Sequence, residues 1–185
     1  CDKKVVLVAD READIFHFFK AKRAAFVELL VRVHQPRNME VLADGAVVKL
    51  DSMSGHLSDF GTKQVLIQRE NRELTLTLAL KAGAVNVLAD KDLTDSQHKT
   101  QGLSLVVAEE TACVDSQTGA DVFNEKQKAA WYLLTSLPID NQEDVERIVR
   151  FYALRWRIER YHYTLKSGAL NVEKLQFDDL HTLLN

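Results

Sequence analysis

The segment 152–168, YALRWRIERYHYTLKSG, constrains the chain more than any other part of the sequence. On an α-helix with about 100° of rotation per residue, four of its polar side chains fall within a stripe of roughly 60°. These side chains belong to Tyr152, Arg155, Glu159 and Lys166. The pattern therefore predicts one helix face that presents a hydroxyl, a guanidinium, a carboxylate and an ammonium together.

The charge of this helix is strongly basic around a single acid. Between positions 147 and 166 the only acidic residue is Glu159, and the basic residues are Arg147, Arg150, Arg155, Arg157, Arg160 and Lys166. Such a helix suits a phosphate backbone, where a carboxylate is repelled unless a cation lies beside it. Glu159 is then a metal ligand. The alternative is an i,i+4 pair of Arg155 with Glu159 on a solvated face, and the helix alone does not decide between the two.

Two motifs resemble one enzyme family. The pattern Y-x2-R-x3-E-x6-K in segment 152–166 is similar to the signature around the last acidic residue of bacterial insertion-sequence DDE transposases. These are cut-and-paste enzymes with a ribonuclease-H-like core. The segment 8–15, VADREADI, resembles the part of the family that surrounds the second catalytic aspartate. The resemblance runs from the first residues to about residue 175 and is strong at both ends.

The resemblance implies catalytic and DNA-binding roles for specific residues. Asp10 and Glu159 would be the second and third carboxylates of a DDE site that holds two Mg²⁺ or Mn²⁺ ions. If so, we expect their carboxylates to lie on the order of 4–8 Å apart. The implied DNA-binding residues are Tyr152, Arg155, Lys166, Trp131, Arg32 and Arg37.

The residues themselves leave alternatives at several of these positions. Asp10 follows the strand-like run 4–9, at the strand end where open α/β sheets carry catalytic groups, but aspartate is also a favoured helix N-cap. Trp131 lies 28 positions before Glu159, where relatives carry a tryptophan that stacks on a flipped base, and a strand tryptophan is otherwise a core residue. Arg32 and Arg37 are otherwise a strand-end and a loop arginine.

The fold prediction is an α/β protein with part of a ribonuclease-H-like core and an inserted antiparallel β subdomain. Segments 4–9, 26–33 and 129–138 have the apolar pattern of buried strands, whereas 74–80 alternates leucine with threonine and alanine. We therefore expect residues 1–37 and 129–185 to form the core and residues 38–128 to form the insertion.

Several local predictions accompany this fold. The periodicity of 12–23 predicts a helix in which Asp14 is a first-turn acid. Asp140 and Glu143 have the spacing of a capping box, and a long helix over about 141–166 should follow, closed by Gly168. A short helix is expected near 51–57.

Composition limits where a DNA-binding surface can lie. The 185 residues are 46% hydrophobic, enough for one good core, and the net charge of −3 requires any basic surface to be local. Two cysteines give no disulfide framework, which fits a reducing cytoplasm, and the apolar runs are too short to span a bilayer.

The function that the resemblance implies is DNA transposition, with transposon-end and target DNA as partners and a homodimer in the synaptic complex. The alternatives are a DNA-binding or regulatory module without catalysis and a metal-dependent nuclease on the same fold. The chain opens with Cys1 and has the look of an excised piece. Because the first aspartate would lie upstream, we expect this piece alone not to cleave DNA.

Overall fold

A computed structural model describes residues 4–69, 72–89 and 99–155, together with Arg157, Tyr161 and Thr164. The described strands are β1 (Val5–Ala9), β2 (Val27–Val33), β3 (Asn38–Val41), β4 (Val47–Lys49), β5 (Ser58–Arg69), β6 (Arg72–Val87), β7 (Leu103–Asp115) and β8 (Ala130–Thr135). The helices are α1 (Phe16–Lys20) and α2 (Gln142–Ala153), with 3₁₀ segments at Arg11–Ala13, Leu50–His56 and Glu125–Gln127. The protein is thus a mixed α/β structure dominated by its strands.

All of these strands belong to one sheet. Its order is β1-β2-β8-β7-β6-β3-β4, and β5 pairs with β6 beside this path. The pair β1–β2 is parallel and every other described pair is antiparallel. On one side of the long β6, its first part pairs with β5 and its last residues pair with β3. On the other side, β7 pairs with β6 along most of its length.

The two faces of the sheet bury separate hydrophobic clusters. The cluster on one face lies between the sheet and α2 and includes Leu30, Leu133 and Ile148. The opposite face packs against α1 and the Leu50–His56 segment and includes Leu29 and Phe19. Alternation along β2 explains the division, since successive side chains of a strand point to opposite faces. Helices therefore cover both faces of the sheet.

The predicted strands are present with changes in length, but the buried position expected for 4–9 is wrong, because β1 is an outer strand of the described sheet and leaves Val5 and Leu7 exposed. The runs 4–9, 26–33 and 129–138 contain β1, β2 and β8, and the alternating run 74–80 lies inside β6. The run 74–80 accounts for only part of β6, which extends from Arg72 to Val87. The sheet also continues across the predicted boundaries at 37/38 and 128/129, since β7 pairs with β8. The division into core and insertion stays a prediction.

The helix predicted over 12–23 is wrong in its extent. A 3₁₀ turn covers Arg11–Ala13, and α1 covers only Phe16–Lys20. Asp14 and Ile15 lie between them with non-helical backbone, at ψ values of 64° and 125°. Contacts of Asp14 with residues 34–37 hold the chain in this break, so a tertiary interaction overrides the local periodicity.

The helix predicted over 141–166 is shorter in the described residues. α2 ends at Ala153, Leu154 and Arg155 form a turn, and the other described residues after them, Arg157, Tyr161 and Thr164, are helical. Gly168 lies outside the described residues. Among the helices that the structure describes, none has both the length and the apolar character needed to span a bilayer.

The capping box of α2 is displaced by one residue from the prediction. The Asn141 side chain accepts a hydrogen bond from the Asp144 N–H at 3.1 Å, and the Asp144 carboxylate accepts one from the Asp140 N–H at 3.0 Å. These bonds satisfy N–H groups at the start of the helix. The hydrogen bond from Asp140 N–H is the main reason that the pKa of Asp144 lies below its ordinary value, and Arg147 adds to the effect.

Candidate active site

Asp10 lies directly after the carboxyl end of β1. Its backbone is extended, with φ −88° and ψ −177°, and its Oδ1 accepts a hydrogen bond from the Arg11 N–H. Asp10 therefore caps the 3₁₀ turn Arg11–Ala13, as expected for the N-cap alternative. Its side chain keeps 37% exposure, so capping does not bury the carboxylate, and the two roles are compatible.

Strand pairing brings distant parts of the sequence to the same end of the sheet. In the parallel pair of β1 and β2, Ala9 lies opposite Val31. Asp10 and Arg32 are the next residues along the two segments, so they lie at the same level of the sheet. In the antiparallel pair, Arg32 lies opposite Leu133, and Trp131 is two residues from Leu133 at the amino end of β8. Asp10, Arg32 and Trp131 thus lie at one end of three adjacent strands.

Arg32, Tyr152 and Trp131 form a cluster on the α2 face of the sheet. The Arg32 guanidinium donates to the Tyr152 hydroxyl and to the Ala130 carbonyl, both at 3.4 Å, and lies 6.0 Å from the Tyr152 ring centroid. The Trp131 and Tyr152 rings meet edge to face at 5.3 Å. Long hydrogen bonds of this kind are weak, so Arg32 is held near the sheet end without a strong ionic partner among these contacts.

The burial of Trp131 bears on its predicted stacking role. The side chain belongs to the hydrophobic core under α2, and Trp131 is only 8% exposed. Stacking on a flipped base needs an accessible aromatic face. The structure gives Trp131 its core role directly, and the base-stacking role stays a prediction that requires movement of its neighbours.

Arg37 lies in a different environment from Arg32. It is 7% exposed, and its Nη2 lies 2.6 Å from the Asp14 Oδ1 and donates to the Asp14 carbonyl at 2.9 Å. The guanidinium also lies 5.5 Å from the centroid of the Phe19 ring. The Asp14 Oδ2 accepts from the N–H groups of His34 and Gln35 at 2.6 and 2.7 Å.

The role of Asp14 is not visible in the sequence. The prediction treats it as a first-turn acid, whereas its carboxylate is fully buried against the turn after β2. Its partners lie 20 to 23 residues further along the chain, and no local spacing signals that contact. In contrast, the sequence pattern identifies Asp10 through its position at a strand end.

Three of the predicted site residues cannot be placed together with Asp10. Glu159 and Lys166 lie outside the described residues, so the expected distance between the Asp10 and Glu159 carboxylates stays a prediction. Arg155 is described and lies in the turn after α2, where it is partly buried. The predicted stripe of four side chains on one helix is therefore represented within α2 by Tyr152 alone.

A divalent cation fits the chemistry of Asp10. A carboxylate oxygen is the donor that Mg²⁺ and Mn²⁺ prefer, and Asp10 presents one that is partly exposed at a sheet end. Within ranges 4–69, 72–89 and 99–155, no three acidic, histidine or cysteine side chains are grouped closely enough to hold a metal. A complete site would accordingly need Glu159 or a ligand from elsewhere.

A polar concavity lies along α2. It has a volume of about 400 Å³ and is lined by Lys63, Glu143, Glu146, Arg147 and Arg150. Two of its cations are engaged, since Lys63 pairs with Glu146 and Arg147 lies 2.7 Å from Asp144. The hydrogen bond from Lys63 also holds the pKa of Glu146 below its ordinary value. The Lys63–Glu146 pair joins β5 to α2, whereas the Arg147–Asp144 pair lies within α2. Surface pairs of this kind contribute little to stability, and they reduce the charge that the concavity offers to a phosphate.

Comparison with known families agrees with the resemblance that the two sequence motifs carry. The family described as Transposase DDE domain matches residues 3–183, nearly the entire chain. The match includes Asp10 at the end of β1 and the whole Y-x2-R-x3-E-x6-K segment. The chain belongs to the Transposase DDE domain family.

Proposed function

We propose that this chain is part of the catalytic domain of an insertion-sequence transposase, which cleaves DNA at transposon ends and transfers the freed strand. Membership of the Transposase DDE domain family supports an enzyme of the polynucleotidyl transferase kind that acts on DNA. The observation that carries the finer proposal is the convergence of Asp10, Arg32, Trp131 and Tyr152 at one end of the sheet.

The proposed fold is a ribonuclease-H-like core with β1, β2 and β8 as its described strands. The remaining strands of the sheet would belong to the β insertion. Support comes from the parallel β1–β2 pair and from helices on both faces of the sheet. Such a core presents catalytic groups beyond the carboxyl ends of its strands, which is where Asp10 lies.

Asp10 and Glu159 are the proposed metal-holding residues. Divalent ions bound to them would lower the pKa of a bound water and neutralise charge on the phosphate that is cut. Asp10 contributes a carboxylate oxygen whose direction is fixed by the strand end and by the Arg11 N–H. Mg²⁺ and Mn²⁺ are both compatible with such oxygen donors.

The proposed DNA surface combines cations and hydroxyls around this carboxylate. Arg155 and Lys166 would contact phosphates. Tyr152 is only 5% exposed and would do so after local movement, and Arg32 after releasing its two long hydrogen bonds. Their contacts would position transposon-end DNA but carry no sequence information. Arg37 is a weaker candidate than Arg32 because its guanidinium is buried against Asp14.

Base stacking by Trp131 is part of the same proposal. Relatives of the type resembled pass through a hairpin on the transposon end, and an extruded base there would stack on the indole after local rearrangement. Trp131→Leu keeps an apolar side chain in the core and removes the large aromatic face. We expect this variant to nick the first strand and to form hairpins slowly. Hairpin formation at the normal rate would contradict the stacking role.

The proposed chemistry is tested by a nicking assay on transposon-end DNA with the full-length protein and Mg²⁺ or Mn²⁺. Asp10→Asn and Glu159→Gln should each abolish nicking, because each removes a charged oxygen ligand. Glu12→Gln is the matched control, since Glu12 is an exposed carboxylate in the same turn and should keep its activity. Specific DNA binding without nicking in the unchanged protein would favour a DNA-binding module, and nicking without strand transfer would favour a nuclease.

A further inference from the structure

The pair formed by Asp14 and Arg37 is the most completely buried ionic interaction in the described residues. The Asp14 side chain is 0% exposed and the Arg37 side chain 7%. The 2.6 Å approach of Nη2 to Oδ1 is an ion pair and not an aligned hydrogen bond, since Oδ1 has no hydrogen-bond partner among the described residues, while the same Nη2 donates to the Asp14 carbonyl at 2.9 Å. Two charges removed from water in this way need a specific arrangement of partners.

Asp14 connects two segments that the sheet alone does not hold together. Its Oδ2 accepts from two successive N–H groups, those of His34 and Gln35, in the turn between β2 and β3. Arg37 completes this turn, since its N–H donates to the Gln35 carbonyl at 2.7 Å and its own carbonyl accepts from the Leu50 N–H at 3.2 Å. The Asp14 carboxylate is therefore anchored in a turn between β2 and β3 that the Leu50 backbone also contacts.

Asp10 lies at the other end of the same short backbone unit. The Ala13 N–H donates to the Asp10 carbonyl at 2.9 Å, and the Asp14 N–H donates to the Arg11 carbonyl at 3.2 Å. Ile15 continues this with a bond from its N–H to the Ala13 carbonyl at 2.8 Å. The segment from Asp10 to Asp14 thus has one end fixed by β1 and the other end fixed by the buried carboxylate.

We infer that Asp14 and Arg37 are positioning residues that hold the 3₁₀ turn Arg11–Ala13 and thereby the direction of the Asp10 carboxylate. This inference rests on the proposed function, in which Asp10 holds a divalent ion. A turn with only three residues has little stability of its own. Without the anchor at Asp14, the chain after β1 is held mainly by the burial of Phe16 and Phe19, several residues away from Asp10.

The inference also assigns Arg37 a role different from the DNA contact that the resemblance implies. Its Nη2 is occupied by Asp14, and its guanidinium packs on Phe19 on the α1 face of the sheet. The cluster of Arg32, Tyr152 and Trp131 lies on the α2 face. To reach a phosphate, Arg37 would have to leave the buried Asp14 carboxylate without its cationic partner, which is costly.

Native-state hydrogen exchange tests the positioning role without DNA or metal. In Asp14→Asn and Arg37→Met, we expect the amides of Ala13, Asp14 and Ile15 to lose protection by roughly tenfold or more. The amides in the centres of β7 and β8 should change only by the global loss of stability. Arg37→Lys keeps the charge and provides a second variant if the other two fold poorly.

Glu110→Gln is the matched control for burial of charge. The Glu110 side chain is 1% exposed, accepts from the Ala129 N–H at 2.6 Å and pairs with Arg69 at 3.3 Å. It lies on β7, three strands from β1 in the sheet. The control should lower global stability and leave protection of the Ala13–Ile15 amides unchanged relative to the rest of the sheet.

Mn²⁺ binding by the full-length protein, measured by electron paramagnetic resonance, tests the consequence for Asp10. Asp14→Asn and Arg37→Met should weaken Mn²⁺ binding and raise the Mn²⁺ concentration for half-maximal nicking by roughly tenfold or more, as for residues that orient a ligand. The Kd for transposon-end DNA without metal should stay within about twofold of the unchanged protein because no phosphate contact is lost. Asp10→Asn serves as the reference for loss of the ligand itself.

The outcomes separate this inference from its alternatives. If both variants bind Mn²⁺ normally while Asp10→Asn does not, the pair serves stability alone and the inference is wrong. If Arg37→Met weakens DNA binding with a reduced salt dependence and Asp14→Asn does not, Arg37 is a phosphate contact, which also overturns it. If Asp10→Asn itself leaves Mn²⁺ binding unchanged, the proposed role of Asp10 fails independently of the pair.

Discussion

Arg32 and Arg37 lie five positions apart in the sequence and occupy opposite kinds of environment. Arg32 is partly exposed on the α2 face and makes two hydrogen bonds of 3.4 Å, one to Tyr152 and one to a backbone carbonyl. Arg37 is buried on the α1 face and lies 2.6 Å from the Asp14 carboxylate. The resemblance assigns both arginines to DNA, whereas their surroundings differ in charge, burial and bond length.

The difference shows that two arginines at the same end of the sheet can have different roles, because their partners differ. Weak neutral partners leave a guanidinium available for a phosphate, because little is lost when it turns outward. A buried carboxylate partner removes that freedom, because separation would strand a charge away from water. In the proposed function, Arg32 on the α2 face would contact DNA, and Arg37 on the α1 face would hold the turn that carries Asp10.

The largest expected effect is on stability at the α1 face. Arg37→Ala should lower the free energy of unfolding by about 3–5 kcal/mol, because it leaves the Asp14 carboxylate buried without its partner. Arg32→Ala should cost only about 1 kcal/mol, since its partners are neutral and its hydrogen bonds long. Urea unfolding of both variants checks the comparison, and equal losses would contradict it.

The next effect concerns DNA binding at the α2 face. Arg32→Ala should reduce the slope of log K against log salt by about one, the change expected when one phosphate contact is lost. Arg37→Ala should leave this slope unchanged in the fraction of protein that is folded. Fluorescence titrations of transposon-end duplex at several salt concentrations provide the measurement. A smaller slope in the Arg37 variant alone would reverse the assignment of the two faces.

A smaller effect is expected at the start of α2, which carries Tyr152. Asn141→Ala should destabilise the protein by about 1 kcal/mol, because the Asp144 N–H loses its capping partner. Thermal unfolding measures this loss. Asn124→Ala, which removes a similar side-chain bond to the Lys126 N–H at an exposed 3₁₀ turn, is the matched control and should cost less. An equal or larger loss of stability in the control would show that the α2 cap contributes no more than a side-chain bond at an exposed turn.

The smallest expected effect is a loss of stability of the α2 region at low pH. The folded-state pKa values of Asp144 and Glu146 lie below their ordinary values, because Asp140 N–H and Lys63 respectively bond to the charged carboxylates. Their contribution is therefore fully present above the unfolded pKa values of about 4 and is lost as the pH falls through the lower folded values. Hydrogen exchange near pH 3 should show α2 amides losing protection before those of β7. Equal loss in both would exclude this contribution.

The sequence predicts the strands of this protein better than its connections. Strands β1, β2 and β8 follow from continuous apolar runs, and part of β6 follows from alternation of leucine with polar residues. The break at Asp14 could not be predicted, because it depends on a carboxylate meeting the N–H groups of His34 and Gln35 across 20 or more positions. Local periodicity contains no information on such a contact.

Only part of the candidate site can be predicted from the sequence. The position of Asp10 at the end of a strand is visible in the sequence, and the structure agrees, although β1 is an outer strand of the described sheet and is not buried. The different environments of Arg32 and Arg37 are not visible, because both lie near the end of the same strand and carry the same charge. The ring contact between Trp131 and Tyr152 also depends on how α2 lies against β8, which no spacing between positions 131 and 152 specifies.

The central claim is that Asp10 and Glu159 hold the same metal ions, and Fe²⁺-directed cleavage of the protein backbone tests it most directly. Fe²⁺ bound in place of Mg²⁺ produces hydroxyl radicals that cut the chain near its ligands when peroxide and ascorbate are added. The account predicts cuts near residue 10 and near residue 159, both competed by Mg²⁺ and both lost in Asp10→Asn and in Glu159→Gln. Cuts near only one of these positions, or cuts that persist in both variants, would contradict it.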